Sequence, residues 1–174
     1  MPMEAAKYSV IENTRDGRKI EIRALKPGDR DDLRAAVDRT SSQSLYRRFF
    51  GAKRHFSEKE VAFFVNVDFV GHVALVAVVE EGGHRVIAAG GRYVVQQPGS
   101  AEVAFVVTDR YQGQGVGAAL LRHLAAIARD AGLREFTAEV LPENIPMLKV
   151  FEKSGLKMNT KRQPGVVHIT LELC

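Results

Sequence analysis

The chain has 174 residues, of which 45% are hydrophobic and 26% are charged, and its formal net charge is +4 at pH 7. This composition is typical of one soluble globular domain and excludes disordered and collagen-like chains. The sequence contains no run of about 18 apolar residues, the length that a membrane-spanning helix needs. The mild positive charge permits an anionic ligand without indicating nucleic acid. Because Cys174 is the only cysteine and no signal-peptide pattern is visible, we expect a cytoplasmic protein.

Little periodicity is visible in the first 18 residues, whereas regular patterns run through the rest of the chain. We therefore predict an N-terminal extension over residues 1–18 and one domain over residues 19–174. In the first part of that domain, an alternating strand precedes three helical patterns. The strand lies at Lys19–Leu25, and the helices begin with a cap at Asp29, near Ser44 and at the capping box Ser57–Glu60.

Three β-rich runs come next, and the short turns between them predict antiparallel neighbours. They lie at His72–Val79, Arg85–Gln96 and Ala101–Val107. A helix after a glycine-rich loop, a strand, a short helix and two closing strands complete the order. These elements lie at Val116–Ala131, Glu135–Leu141, Asn144–Ser154, Leu156–Thr160 and Val166–Leu173. The order predicts an α+β (mixed α/β) domain built on one central sheet.

The most informative motif is the glycine-rich loop Gln112-Gly113-Gln114-Gly115-Val116-Gly117, which precedes the long helix. Glycines permit positive φ and close approach, and the free N–H groups of a helix N-terminus favour an anion such as pyrophosphate. A P-loop is excluded because Ala118 and Ala119 stand where Lys and Ser or Thr are needed. A dinucleotide-binding fold is disfavoured because it needs the spacing G-x-G-x-x-G, where this loop has G-x-G-x-G, and further βαβ units. A tight turn that binds nothing remains an alternative.

The pattern Gln112-x-x-Gly115-x-Gly117 resembles the coenzyme A loop of the GNAT superfamily of N-acetyltransferases, and the order of elements resembles that superfamily as well. Over roughly residues 20–160 the chain also resembles the acetyltransferase domain of bacterial Pat-type protein lysine acetyltransferases. The segments that carry this resemblance are Ser44–Phe50, His72–Ala77 and Ala101–Val107. The resemblance implies a GNAT-like fold, with a central, mostly antiparallel sheet of about seven strands flanked by helices.

Acetyl-CoA is the cosubstrate that the resemblance implies, with its pantetheine arm along the strand before the loop. The implied cofactor contacts are Phe105, Val106, Val107, Gln112, Gly113, Gln114, Gly115, Val116, Gly117, Ala118 and Asn144. Asn144 is explained equally well as the N-cap of the helix that follows it. No metal is expected, because the five histidines show no ligand spacing.

Acetylation of an amine needs a proton acceptor, because a lysine amine has a pKa of ~10.4 and is almost entirely protonated at pH 7. Glu102 is the candidate base. Alternation places it on one face with Ala104 and Val106, so we predict a carboxylate buried among apolar side chains, an environment that suits proton removal. The Pat-type resemblance implies the same role. The alternatives are a solvent-facing strand glutamate with no chemical role, and Glu139 as base if it faces the same cleft.

Phe151 departs from the superfamily pattern, in which a tyrosine often protonates the leaving thiolate. A thiol of pKa ~8.5 is a tolerable leaving group near neutral pH, so transfer need not fail. We predict an enzyme that acetylates a primary amine, and the resemblance favours a protein lysine over a small-molecule amine. A coenzyme-A-binding sensor without turnover and a nucleic-acid-binding module are the alternatives. The expected partners are acetyl-CoA and the acceptor amine, without nucleic acid or a membrane; a homodimer is left open.

Overall fold

A computed structural model describes residues 5–38 and 67–173. The strands are β1 (Ser9–Asn13), β2 (Lys19–Ala24), β3 (His72–Glu81), β4 (His84–Gln97), β5 (Ser100–Val107), β6 (Glu135–Val140), β7 (Lys157–Gln163) and β8 (Val166–Glu172). The α-helices in the described ranges are α1 (Arg30–Asp38), α2 (Val116–Asp130) and α3 (Ile145–Glu152). One eight-stranded sheet runs in the order β1-β2-β3-β4-β5-β6-β8-β7. Only the pair β5–β6 is parallel among these described strands, so the predicted fold class is confirmed.

β1 is the strand that the sequence analysis missed. It pairs with β2 along its whole length, from Ser9 opposite Arg23 to Asn13 opposite Lys19. Because nearly all of its side chains are exposed, it shows no alternation of apolar and polar residues. Residues 9–13 therefore belong to the sheet, while a domain boundary at residue 19 stays a prediction. The helices predicted near Ser44 and after Ser57 lie outside the described residues.

Asp29 stabilises the turn before α1 and does not cap the helix as predicted. It ends a short 3-10 turn, and its carboxylate accepts the Lys26 N–H at 2.7 Å and two hydrogen bonds from Arg23 at 2.8 Å. Burial alone would raise the pKa of Asp29, but these hydrogen bonds and the Arg23 charge lower it overall. The chain therefore turns from β2 into α1 around an ion pair whose carboxylate is buried.

The sheet separates two apolar layers of unequal size. The larger core lies on the face covered by α2 and α3 and includes Phe105 of β5, Leu124 of α2 and Phe151 of α3. On the opposite face, Ala36 of α1 packs in a smaller cluster with Val76 of β3. No helix in the described part of the chain is long and apolar enough to cross a membrane.

Gly91 of β4 lies directly beside the ring of Phe105. A Cβ atom added to Gly91 would lie 2.7 Å from Phe105 Cδ1 and 3.2 Å from Leu124 Cδ1, closer than packed carbon atoms approach. We expect Gly91→Ala to lower the free energy of unfolding by ~1–3 kcal/mol through overpacking, as measured by urea denaturation. Gly90→Ala is the matched control, because its Cβ would lie 3.8 Å from the Leu75 carbonyl oxygen, an ordinary contact. Equal destabilisation by both changes would contradict this account.

Candidate active site

The parallel pair β5–β6 opens after three residue pairs. Pairing begins at Ser100 opposite Glu135 and ends at Glu102 opposite Thr137, although β5 continues to Val107 and stays paired with β4. Among the described strands, none pairs with the last part of β5 on its β6 side. The backbone groups on that side are therefore open to a ligand, since each carries hydrogen-bonding capacity that a strand would otherwise use.

A cavity of about 570 Å³ lies at this opening, a size typical of sites for small molecules. Its walls are the end of β5, the glycine-rich loop, the first turn of α2 and the helix α3. Ten of the eleven predicted cofactor residues line it, namely Phe105, Val106, Val107, Gln112, Gly113, Gly115, Val116, Gly117, Ala118 and Asn144. The eleventh, Gln114, lines a second cavity beside it. The structure therefore brings ten of the eleven predicted residues together around one space, with Gln114 beside it.

The lining of this cavity is positively charged. It includes the cationic residues Arg15, Lys149 and Lys153, and none of its described lining residues is Asp or Glu. The free N–H groups at the start of α2 add partial positive charge at the same place. None of these three cations was predicted as a site residue, because nothing in the local sequence pattern around Arg15, Lys149 or Lys153 indicates a ligand. The described residues contain no group of His, Cys, Asp or Glu that could hold a metal ion.

The glycine-rich loop owes its shape to two of its glycines and to one glutamine. Gly115 is the N-cap of α2 and has φ 86°, in the left-handed region that favours glycine. At Gly117 a Cβ would lie 3.2 Å from Val150 Cγ2, so α2 and α3 approach closely there. The side-chain amide of Gln112 donates to the Val107 carbonyl at 3.1 Å. The loop is thereby attached to the end of β5, and its residues Gln112, Gly113 and Gly115 line the cavity.

Two residues of the α3 region have structural roles. The Asn144 side chain accepts the N–H of Met147 at 3.3 Å and so caps α3, while the same residue lines the cavity. Phe151 is 1% exposed and packs edge-on against Phe105, with ring centroids 6.0 Å apart. Phe151 is therefore a core residue that joins α3 to β5, and its ring has no proton to donate.

Glu102 occupies the last paired position of β5 before the strands diverge. The residue is exposed, so the predicted burial among apolar neighbours is wrong. Alternate residues Ala101, Val103 and Phe105 point into the larger core, which leaves Glu102 on the opposite face. The described apolar cluster on that face is centred on β3 and includes no residue of β5. Glu102 is also absent from the residues that line the cavity.

Glu139 faces the same side of the sheet as Glu102. It follows Thr137 by two residues on β6, and Thr137 is the residue paired with Glu102. Side chains two residues apart on a strand share a face, and the pairing brings Glu102 onto that face. The Glu139 carboxylate lies 3.5 Å from Nδ1 of His168 on β8. Glu139 therefore shares a face of the sheet with Glu102, and like Glu102 it is absent from the residues that line the cavity.

His72 lies in the same row across the sheet, because it pairs with Val94, which in turn pairs with Glu102. Burial, and secondly the charge of Arg92, lower the pKa of His72 from 6.5 to about 4. Arg92 Nη1 lies 2.9 Å from His72 Nε2 and donates to it. The imidazole is therefore neutral in the folded protein at physiological pH.

This depressed pKa predicts a loss of stability in acid. The neutral His72 contributes stability above pH 6.5, and that contribution is lost as the pH falls from 6.5 through about 4. We expect the loss to reach about 3 kcal/mol, measured by urea denaturation at a series of pH values. Because carboxylates also titrate near pH 4, the wild type is compared with His72→Gln, which lacks the imidazole. The variant should show a shallower decline in this range, and an unchanged slope would contradict the assignment.

The chain belongs to the acetyltransferase (GNAT) family, whose model matches residues 26–156. The predicted membership, and with it the class of acetyltransferase, is confirmed.

Individual relatives extend this result. The acetyltransferase Pat of Mycolicibacterium smegmatis is 33% identical over 143 residues, which cover 81% of this chain and 42% of that protein. The chain thus spans less than half the length of that relative. The GNAT domain of S. lividans PAT superimposes with a TM-score of 0.85 at 37% identity, covering 94% of this chain and 96% of that one. The structure of yncA from Salmonella typhimurium, solved with acetyl-CoA as its cofactor, has a TM-score of 0.71 at 18% identity, covers 89% and 94% of the two chains, and shares the fold.

Proposed function

We propose that this protein is an acetyl-CoA-dependent N-acetyltransferase whose acceptor is a primary amine, with a protein lysine side chain favoured. The observation that carries the proposal is the cavity at the β5–β6 opening, which combines an open strand backbone with a cationic lining that contains no carboxylate among its described residues. Acetyl-CoA has the matching chemistry, since an amide-rich arm leads to a pyrophosphate. The similarity to Pat proteins supports a protein acceptor, and the bound acetyl-CoA of yncA supports the cosubstrate.

In this proposal the pantetheine arm lies along the open backbone of Phe105–Val107. N–H groups of that segment donate to the acetyl carbonyl oxygen, which gains negative charge as the amine attacks. The pyrophosphate is bound by the N–H groups of the loop Gln112–Gly117, at the positive end of α2. Asn144 keeps its capping role and contributes the wall of the cavity on the α3 side.

Glu102 acts as the general base in this scheme. The carboxylate accepts a proton from the acceptor ammonium group, directly or through a water molecule, which an exposed side chain readily contacts. The neutral nitrogen then bonds to the thioester carbonyl carbon, the C–S bond breaks, coenzyme A leaves as a thiolate, and the new amide nitrogen releases its second proton to solvent. Because a thiolate is a tolerable leaving group near neutral pH, the reaction proceeds without a proton from Phe151.

Transfer of radiolabelled acetyl groups tests the proposal. The purified protein is incubated with labelled acetyl-CoA and either a bacterial protein lysate or a panel of polyamines, amino acids and amino sugars. We expect label on lysine residues of a small number of proteins, identified by mass spectrometry. A higher kcat/KM on a small amine would instead assign a small-molecule acetyltransferase. Binding of acetyl-CoA without transfer to any acceptor would assign a coenzyme-A-binding sensor.

A further inference from the structure

A second cavity, of about 340 Å³, adjoins the cofactor cavity beside the glycine-rich loop. The two cavities share four lining residues, namely Arg15, Gly115, Ala118 and Lys153. The remaining walls of the second cavity come from the β1–β2 hairpin, from Gln114 of the loop and from the first two turns of α2. A ligand whose pyrophosphate binds at the start of α2 can therefore continue into this space.

The turn between β1 and β2 is attached directly to the loop and its surroundings. The Arg15 N–H donates to the Gln114 carbonyl at 3.3 Å, and Arg18 Nη1 donates to the Tyr111 hydroxyl at 2.8 Å. Tyr111 in turn donates to the carboxylate of Glu81 at the end of β3. This network holds the turn beside the start of α2.

The same attachment places the Arg15 side chain over the loop. A Cβ atom built on Gly115 would lie 3.9 Å from Arg15 Nε, so the guanidinium group stands next to the N-cap of α2. Lys153, at the C-cap of α3, lines both cavities as well. Both side chains are exposed and thus reach the cavities from solvent-facing positions.

The described lining of the second cavity contains three cations, of which Arg122 pairs with Glu12, so Arg15 and Lys153 are the charges that remain for a ligand. Among residues 5–38 and 67–173, neither side chain forms an ion pair with a carboxylate. Glu12 is the one acidic residue in the described lining, and its carboxylate already accepts hydrogen bonds from Arg122, at 3.0 Å, and from His123. The second cavity therefore presents two cations to an anionic group.

Acetyl-CoA continues beyond its pyrophosphate into a ribose that carries a 3′-phosphate and an adenine. We propose that Arg15 and Lys153 bind this 3′-phosphate in the second cavity and so select acetyl-CoA over its 3′-dephospho form. The inference rests on the proposed acetyl-CoA site. A guanidinium group binds phosphate oxygens in bidentate fashion, and a lysine ammonium adds a point charge. The dephospho form offers only a neutral hydroxyl group to the same two cations.

Calorimetric titration of acetyl-CoA and acetyl-3′-dephospho-CoA tests this inference, with the wild-type protein, Arg15→Gln, Lys153→Gln and the double variant. We expect the wild type to prefer acetyl-CoA by about tenfold or more. Each single variant should lose about threefold to tenfold in affinity for acetyl-CoA and less than about twofold for the dephospho form. The double variant should show almost no preference. The thermal unfolding midpoints confirm that the variants remain folded.

Arg129→Gln is the matched control, because it removes the same charge from an exposed position in the last turn of α2. It should leave the preference unchanged, which separates a local contact from a general effect of net charge. Equal losses for both thioesters in Arg15→Gln would place Arg15 on the pyrophosphate and overturn the inference. A wild type that binds both thioesters equally well would overturn this inference alone. Binding of neither thioester by the wild type would overturn the proposed function together with it.

Discussion

Glu102→Gln is expected to lower kcat by ~10²–10⁴-fold, the usual contribution of a general base. The amide keeps the shape of the side chain and removes its capacity to accept a proton. Acetyl-CoA affinity should stay close to that of the wild type, because Glu102 does not line the cofactor cavity. Steady-state kinetics at a series of pH values measure the effect. The acidic limb of the rate profile should disappear in the variant if Glu102 must be ionised for the reaction.

Glu139→Gln is the control for this prediction. It removes one negative charge from the same face of the sheet, where the carboxylate lies 3.5 Å from His168 Nδ1. We expect kcat to change by less than about threefold, because a general field effect at the exposed face is weak. A large loss in Glu139→Gln, with wild-type kcat in Glu102→Gln, would assign the base to Glu139. Wild-type kcat in both variants would exclude both carboxylates.

Gly115→Asp is expected to weaken acetyl-CoA binding by about a hundredfold or more. The new carboxylate would accept the N–H groups at the start of α2 and would repel the pyrophosphate that the loop is proposed to bind. Asp is a favourable N-cap residue and tolerates positive φ better than most, so the helix should still form. Calorimetric titration with acetyl-CoA measures the affinity, and a thermal melt measures the stability.

Gly132→Asp separates this effect from backbone strain. Gly132 follows the other end of α2 and has φ 88°, nearly the same as the 86° of Gly115. The two positions are 17 residues apart, which corresponds to ~25 Å along the helix axis. We expect Gly132→Asp to lower stability by ~1–2 kcal/mol and to leave acetyl-CoA affinity unchanged. Similar losses of affinity in both variants would show that the change acts through the fold, and the pyrophosphate assignment would fail.

The local sequence alone determines the helices and turns that build the site. Glycine conformation and helical spacing act between neighbouring residues, and they predict the helix α2 with its start at Val116 and its end before Gly132. Asn144 was predicted as an N-cap for the same reason, since a cap bonds to an N–H group three residues away. The sheet was predicted almost completely, because alternation along the strands reports which faces are buried. β1 was missed where that alternation is absent.

Tertiary structure alone decided which distant residues meet at the site. The β5–β6 opening depends on where two strands separated by α2 stop pairing, and no local pattern encodes that position. Arg15 reaches the loop because β1 and β2 form an edge hairpin whose turn bonds to Gln114, a contact across a hundred residues of chain. Burial of Glu102 was predicted from its strand neighbours, but exposure depends on what covers that face of the sheet. Packing between distant segments determines whether that face is covered, and the spacing of side chains along one strand carries no information about such packing.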